Sequence, residues 1–350
     1  MEGIKLKDMT PLERVLRTVR GELPDRVPVI PGVGHQYISA FTRIPLPKLV
    51  SDPNKMAEGV LATWRRHGYD AIGAVTYASL GADEMGCKVI IEDGHVIFAK
   101  EPAIKNYSDL KNLRIPDPRK DGRMPVVLEC QRILREKTEG TISVGGGFQG
   151  PLSFAAILRG PKDFLLDLIR NPGFCKEVVE FSTEFLMEWG KAQIEVGGVK
   201  SLMIFEPTAS PQVVSPARFE EYSFPYLRRL IAEFKRLGAG VILHICGNTK
   251  PILKKMAETG ASTLSLESEV NLAEAKRITE NKVCVSGNID SFKLAFSPKE
   301  EVFQMAKACV LETSPGGRFI LSSSCEVTAN TPPENLDALI QAAEEYGKYR

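Results

Sequence analysis

The stretch "VILHICGNTK", residues 241–250, runs from an apolar β-rich segment straight into Gly247-Asn248. Val, Ile and Leu in unbroken succession suit a strand buried on both faces, and the Gly-Asn pair suits the turn that ends it. In a strand, residues i and i+2 project to the same side, so His244 and Cys246 point at one place just where the strand stops.

Seven further segments share this character: "RVPVIPGV" (26–33), "DAIGAVTY" (70–77), "TISVGGGF" (141–148), "SLMIFEP" (201–207), "STLSLE" (262–267), "KVCVSGNI" (282–289) and "RFILSSSC" (318–325). Helical periodicity separates them, as in "NTKPILKKMAETG" (248–260) and "PKEEVFQMAKACVLE" (298–312), with Asn or Pro at the start of each. Strand and helix in strict alternation predict an α/β fold with parallel strands. Eight such units suit a (β/α)8 TIM barrel better than the alternative, a doubly wound open sheet. Residues 1–350 read as one barrel domain with an N-terminal helical extension (1–25). In "CKVIIEDGHVIF" (87–98), Asp93-Gly94 between two β-rich runs predicts a hairpin flap.

Composition narrows the function. Apolar residues make up 43% and charged residues 25%, ordinary values for a soluble globular chain. Lys and Arg total 45 against 44 Asp and Glu, which leaves no basic excess to hold a nucleic acid. No apolar run approaches a membrane span, and "MEGIKLKDMTPLERVLRTVRG" lacks a signal peptide's apolar core, so the expected location is cytoplasmic. Seven cysteines, an odd and sparse set, point to thiol or metal chemistry rather than a disulfide framework.

If "GVILHIC" is a barrel strand, His244 and Cys246 lie at the C-terminal rim, where catalytic groups gather in this architecture. Cys325 closes the eighth segment and Glu267 the sixth. Imidazole with two thiolates favours zinc over magnesium or calcium and leaves a fourth position open. Spacing by itself also allows buried structural cysteines and a hydrogen-bonded histidine.

Over nearly its whole length the chain resembles the uroporphyrinogen decarboxylase superfamily, and within it the zinc-dependent corrinoid methyltransferases related to methylcobamide:coenzyme M methyltransferase. The stretches that carry the resemblance include "MTPLERVLRTVRGELPDRVPV", "LGADEMGC", "GPLSFAAILRG", "EPTASPQVVSPARFEEYSFPY", "LHICGNTKPIL", "GNID" and "CEVTANTPPENLDALIQAA". The resemblance implies a TIM-type barrel and a zinc ion bound by a His-x-Cys and a distant Cys, here His244, Cys246 and Cys325. It also implies an acidic residue on the following strand, matched best by Glu267, with Glu269 beyond the strand end. The expected activity is methyl transfer between a corrinoid (methylcobalamin), carried on a corrinoid-binding partner protein, and a thiol such as coenzyme M. The alternative is an O- or N-demethylating component that passes methyl to Co(I). The decarboxylase branch fits poorly. It needs an arginine-rich turn where this chain has "IPGVGHQYISAF" (30–41), and an acid absent from "VTYASL" (75–80).

Glu206, Glu221 and His244 resemble a second pattern, the Glu, Glu, His zinc set of aryl ether O-demethylase methyltransferases, although the second spacer there is slightly shorter. Glu206 is expected at the end of the fourth strand, where a carboxylate orients a methyl donor; Glu221 also suits a solvated helix face. Substrate contacts are expected from His35, Gln149, Asn288, Asp290 and Tyr226, with a local turn role open for Asn288 and Asp290 and aromatic packing open for Tyr226. His67 and His95 read as surface residues, and Cys87, Cys130, Cys175, Cys284 and Cys309 as structural. The glycine run "GGGF" (145–148) lacks the Lys-Ser/Thr ending of a phosphate loop.

Overall fold

The computed structural model describes residues 9–93 and 97–349. Its strands are β1 (Gly32–Val33), β2 (Ala71–Gly73), β3 (Lys88–Ile90), β4 (Phe98–Glu101), β5 (Ser143–Gln149), β6 (Ser201–Phe205), β7 (Gly240–His244), β8 (Thr263–Ser265), β9 (Cys284–Ile289), β10 (Phe319–Ser323) and β11 (Glu326–Val327). Seven of them form one parallel sheet in the order β10-β9-β8-β7-β6-β5-β2. Helices follow the strands, among them Pro151–Arg159, Phe224–Arg236 and Lys299–Thr313. Parallel neighbours joined through helices wind in one direction and curl into a barrel.

The first expected strand, 26–33, is not continuous. Pro28 and Pro31 have no N–H to offer a ladder, so this segment pairs only in pieces. Val29 bridges Leu321 of β10, Arg26 bridges Lys348, and Gly32–Val33 pairs with β11 in a separate two-stranded sheet. The pieces nevertheless close the ring. Leu321 N–H donates to Pro28 O and Ile30 N–H to Leu321 O on one side, each at 2.9 Å, and Asp70 N–H donates to Val29 O at 2.8 Å on the other.

A buried carboxylate secures that closure. Asp70 is fully buried and accepts from Arg14 Nη1 (2.6 Å), Arg26 Nη1 (2.8 Å) and Val29 N–H (2.7 Å). Arg14 comes from the helix Pro11–Arg20, whose N-cap Thr10 accepts from Glu13 N–H and whose end is set by Gly21 in the left-handed region at φ 86°. The N-terminal helix is thus bolted to the strand it precedes. Residues 1–8 of the expected extension lie outside the described residues.

The expected flap has antiparallel strands β3 and β4, while residues 94–96 of its turn, His95 included, lie outside the described residues. The helix expected at 248–260 is a 3-10 turn, Lys250–Ile252, followed by Leu253–Glu258. No helix among the described residues is long and apolar enough to cross a membrane. His67 is a correction to the expected surface position. Its side chain is fully buried, with Nδ1 2.7 Å from Asp337 and Nε2 2.9 Å from the Tyr37 hydroxyl, because its helix end packs under the C-terminal helix.

Asp70→Asn would leave Arg14 and Arg26 facing a neutral amide in a dry setting. The expected loss is about 3 kcal/mol of unfolding free energy, read as a lower urea midpoint by far-UV circular dichroism. An unchanged midpoint would show that closure does not depend on this carboxylate.

Candidate metal centre

Three strands deliver four donors by the same device. β7 ends at His244, β8 at Ser265 and β10 at Ser323. Cys246, Glu267 and Cys325 each lie two residues past the last residue of their strand, on the side that the alternation of a strand directs inward. His244 Nε2 stands 3.3 Å from Cys246 Sγ, 3.9 Å from Cys325 Sγ and 4.0 Å from a Glu267 carboxylate oxygen. One donor atom from each residue falls within 4.8 Å of all the others.

The surroundings hold these groups in place. His244 is paired in register with Ser265, whose hydroxyl lies 3.1 Å from Nδ1 and so turns Nε2 toward the sulfurs. Asn288 Nδ2 donates to the carbonyls of Glu267 and Val270 at 2.9 and 2.6 Å, fixing the turn that carries the carboxylate. Cys325 N–H donates to Ser291 Oγ at 3.1 Å, and Cys325 O accepts from Ser323 Oγ at 2.6 Å. Gly247, immediately after Cys246, has φ 75°, and a Cβ there would stand 2.1 Å from Gln212 Oε1. The left-handed φ is the demand that favours glycine, since the end of the Gln212 side chain can shift.

The donor set suits zinc. Four ligands around this ion at bonds of about 2.0–2.3 Å stand roughly 3.3–3.8 Å apart, close to the separations between His244 and its neighbours. Electrostatics agree. A hydrogen bond from Cys246, then one from His244, draws the Cys325 thiol down to about 4, while that same bond and burial push Cys246 up. Burial and the Cys325 charge push Glu267 up. More negative charge is gathered here than one imidazole balances, and a dication relieves the conflict. The remaining cysteines lack such neighbours: burial pushes Cys87 and Cys309 up to about 11, Cys175 and Cys284 up to about 12, and Cys130 higher still.

Other expected residues fall elsewhere. Glu206 does follow β6, with its N–H donating to His244 O at 2.8 Å, yet its side chain is fully buried. Its carboxylate accepts from Ser153 N–H and Oγ, both at 2.7 Å, and from Leu152 N–H at 3.3 Å, at the N-terminus of helix Pro151–Arg159. A helix N-terminus attracts a carboxylate, which corrects the expected donor-orienting role. Burial still pushes Glu206 up to about 7 against those bonds. Glu221 is exposed and paired with Lys176 (2.9 Å) and Arg218 (3.1 Å), so Glu206, Glu221 and His244 do not form a common site.

Asp290 caps helix Ser291–Phe296 by accepting from Lys293 N–H at 2.9 Å. With Asn288 also engaged by backbone, both take the turn role over the substrate role. Tyr226 lines a shallow groove with Lys176, Glu180 and Phe181, between the helices Pro172–Glu195 and Phe224–Arg236. Gln149 ends β5 half-buried at the rim. His35 is buried at the rim after β1, with Nδ1 3.3 Å from Glu326 Oε1 and Nε2 lacking a partner among the described residues. Burial lowers it to about 4, which leaves the ring neutral near pH 7. Ser265 and Glu326 were not singled out from the sequence. The first is visible only through strand register, whereas the second adjoins Cys325 in plain sight.

Comparison with known proteins agrees with this geometry. The chain is 28% identical over 349 residues to methylcobamide:CoM methyltransferase MtaA of Methanosarcina barkeri, covering 97% of this chain and 99% of that protein. A uroporphyrinogen decarboxylase of Trichlorobacter lovleyi is 27% identical over 311 residues, 87% of this chain and 88% of its own. The solved structure of a methyltransferase from Methanosarcina mazei matches with a TM-score of 0.88 at 28% identity, covering 97% of this chain and 99% of that one. The family model for uroporphyrinogen decarboxylase (URO-D) matches residues 10–346, and the chain belongs to that family.

Proposed function

We propose that this chain is a zinc-dependent methyltransferase that moves a methyl group from a corrinoid, presented by a partner protein, to a small thiol. The observation that carries the proposal is the convergence of His244, Cys246, Glu267 and Cys325 on one point at the barrel mouth. Likeness to methylcobamide:CoM methyltransferases over 97% of the chain supports the reaction class.

A free thiol, with a pKa of roughly 8.5, is mostly protonated at neutral pH, whereas its thiolate is the nucleophile. Zinc, when bound, supplies the positive charge that keeps such a thiol deprotonated. His244, Cys246 and Cys325 would hold the metal, and Glu267 would be the fourth ligand, the one that yields to substrate. Two features of the chain suit that division. Glu267 is the only carboxylate of the four, and its side chain is partly open at 17% exposure while His244 is 2% exposed. Ser265, through Nδ1 of His244, keeps the imidazole oriented throughout. Glu206 buttresses the helix after β5 and does not touch the reacting groups.

Two other readings of the family lack support from the site. The demethylase arrangement needs the carboxylates of Glu206 and Glu221 beside His244, whereas that of Glu206 is bonded to Ser153 and that of Glu221 to Lys176 and Arg218. Porphyrinogen decarboxylation needs guanidinium groups for several carboxylates, and residues 30–41 contain none.

Cys246→Ser and Cys325→Ser are each expected to lose most bound zinc by metal analysis, and with it thiol-dependent loss of the methyl-Co(III) spectrum of methylcobalamin. Far-UV circular dichroism should stay unchanged. Full metal content in both variants would remove the cysteines from the site. Glu206→Gln is expected to keep one zinc per chain while lowering unfolding free energy by about 1–3 kcal/mol, the penalty for disturbing buried hydrogen bonds. Zinc loss without loss of stability would instead place Glu206 among the ligands.

A further inference from the structure

The inner face of the barrel is filled unevenly. Phe148 of β5 points outward, its ring 5.8 Å from that of Phe234 on the helix Phe224–Arg236, so the alternation of the strand turns Gly145, Gly147 and Gln149 inward. Parallel register extends that face. Gly73 lies beside Gly145, Met203 beside Gly147, and Phe205 between Gln149 and His244, with Ile242 two residues before His244 on the same side. Barrels of this kind are ordinarily packed inside by layers of bulky branched side chains. Here β2 and β5 offer glycine instead, and Gly73, Gly145, Met203, Phe205 and Ile242 are each only half-buried. Beyond its chain neighbours, a Cβ on Gly73 would meet within 4 Å only the carbonyl group of Gly145 among the described residues. Along β8 and β9 the residues that continue the register, Thr263, Ser265, Cys284 and Ser286, are buried. Open space therefore lies inside the barrel on the side of β2, β5, β6 and β7.

That space adjoins the metal centre. The Phe205 ring meets the His244 imidazole edge to face, with 6.0 Å between centroids, and its Cε2 lies 3.5 Å from where a Cβ on Gly147 would stand. One aromatic side chain thus links the metal ligand to the glycine face of β5. Its backbone is held on both sides: Phe205 O accepts from Gly150 N–H at 2.6 Å, and the N–H of the next residue, Glu206, donates to His244 O at 2.8 Å. A sulfur sharing a zinc ion with Nε2 stands roughly 3.5 Å from that nitrogen, so a substituent of two to four carbons is long enough to lie along the ring. Apart from His244, no inward-facing residue of β2, β5, β6 and β7 is titratable. Apolar walls with few polar groups suit an apolar ligand, whereas an anion moved among them sheds its water without gaining a counter-charge.

We propose that the methyl acceptor is a thiol with an uncharged, apolar substituent, which lies inside the barrel against Phe205, Met203 and Ile242 while its sulfur takes the place of Glu267 on the metal. This rests on the thiol-methylating function above. In that step the thiolate sulfur forms a bond to the methyl carbon, and the cobalt–carbon bond breaks with its electron pair left on cobalt as Co(I). The thiol proton leaves to solvent.

The test titrates ethanethiol, propane-1-thiol, butane-1-thiol and 2-mercaptoethanesulfonate into zinc-loaded protein by calorimetry, and follows turnover by the methylcobalamin spectrum. Affinity is expected to rise about three- to fourfold with each methylene, and the sulfonate to bind at least about tenfold more weakly than propane-1-thiol. Phe205→Ala should bring the increment per methylene toward unity and Phe205→Leu should keep most of it, with zinc content checked in each. Because the increment compares ligands on one protein, a general structural defect does not move it. A series without an increment, a sulfonate that binds as tightly as propane-1-thiol, or an increment unmoved by Phe205→Ala would overturn the proposal. Affinity that climbs with chain length while no thiol is methylated would overturn the methyl-transfer reading and leave the apolar pocket standing, and binding of none of the thiols would overturn both.

Discussion

Parallel pairing of β7 with β8, with His244 opposite Ser265, is the contact on which the site depends. Parallel strands in register bring their C-terminal ends to one level, and the overshoot of two residues then places a side chain from each inside the rim. A slip of one residue in either strand would turn its donors outward, because side-chain direction alternates at every step. The convergence of these donors is therefore a consequence of backbone hydrogen bonding. Nothing in the loops has to be long or elaborate, since the strands do the aiming.

Two buried carboxylates show how the rest of the barrel supports that geometry. Asp70 binds two arginines and a backbone N–H where the ring closes, and Glu206 binds the first turn of the helix after β5. Each is fully buried, and each is tolerable because donors surround it. They differ in what surrounds them. Asp70 faces guanidinium groups and so keeps its charge balanced. Glu206 meets only neutral donors and is pushed up to about 7. The acidic residue that looked most available for chemistry at the end of β6 is thus committed to holding a helix in place.

The mouth that results is negative around a site suited to a cation. Soft and acidic donors from His244, Cys246, Glu267 and Cys325 gather at that rim. Relatives with nearly full-length similarity include both methylcobamide:CoM methyltransferases and uroporphyrinogen decarboxylases, so the scaffold alone does not dictate the small molecule.

Much of this was legible in the amino-acid order. Alternating strand and helix signals pointed to the barrel, and seven of the eight expected strands contain a strand of its main sheet. His244, Cys246, Glu267 and Cys325 were visible as strand-end donors because their period and position are local properties. Where the first strand breaks was a local matter too, given Pro28 and Pro31. What the sequence by itself determined was therefore the period, the strand ends and the chemical types arrayed there. Tertiary structure decided which of those groups meet. Glu206, Glu221 and Tyr226 sat at plausible positions and went to a helix cap, a surface ion pair and an outer groove. Ser265 and Glu326 acquired their places only when strands distant in the chain were laid side by side. Side-chain direction relative to a neighbour is a property of the register between strands, and register is set by packing across the whole ring.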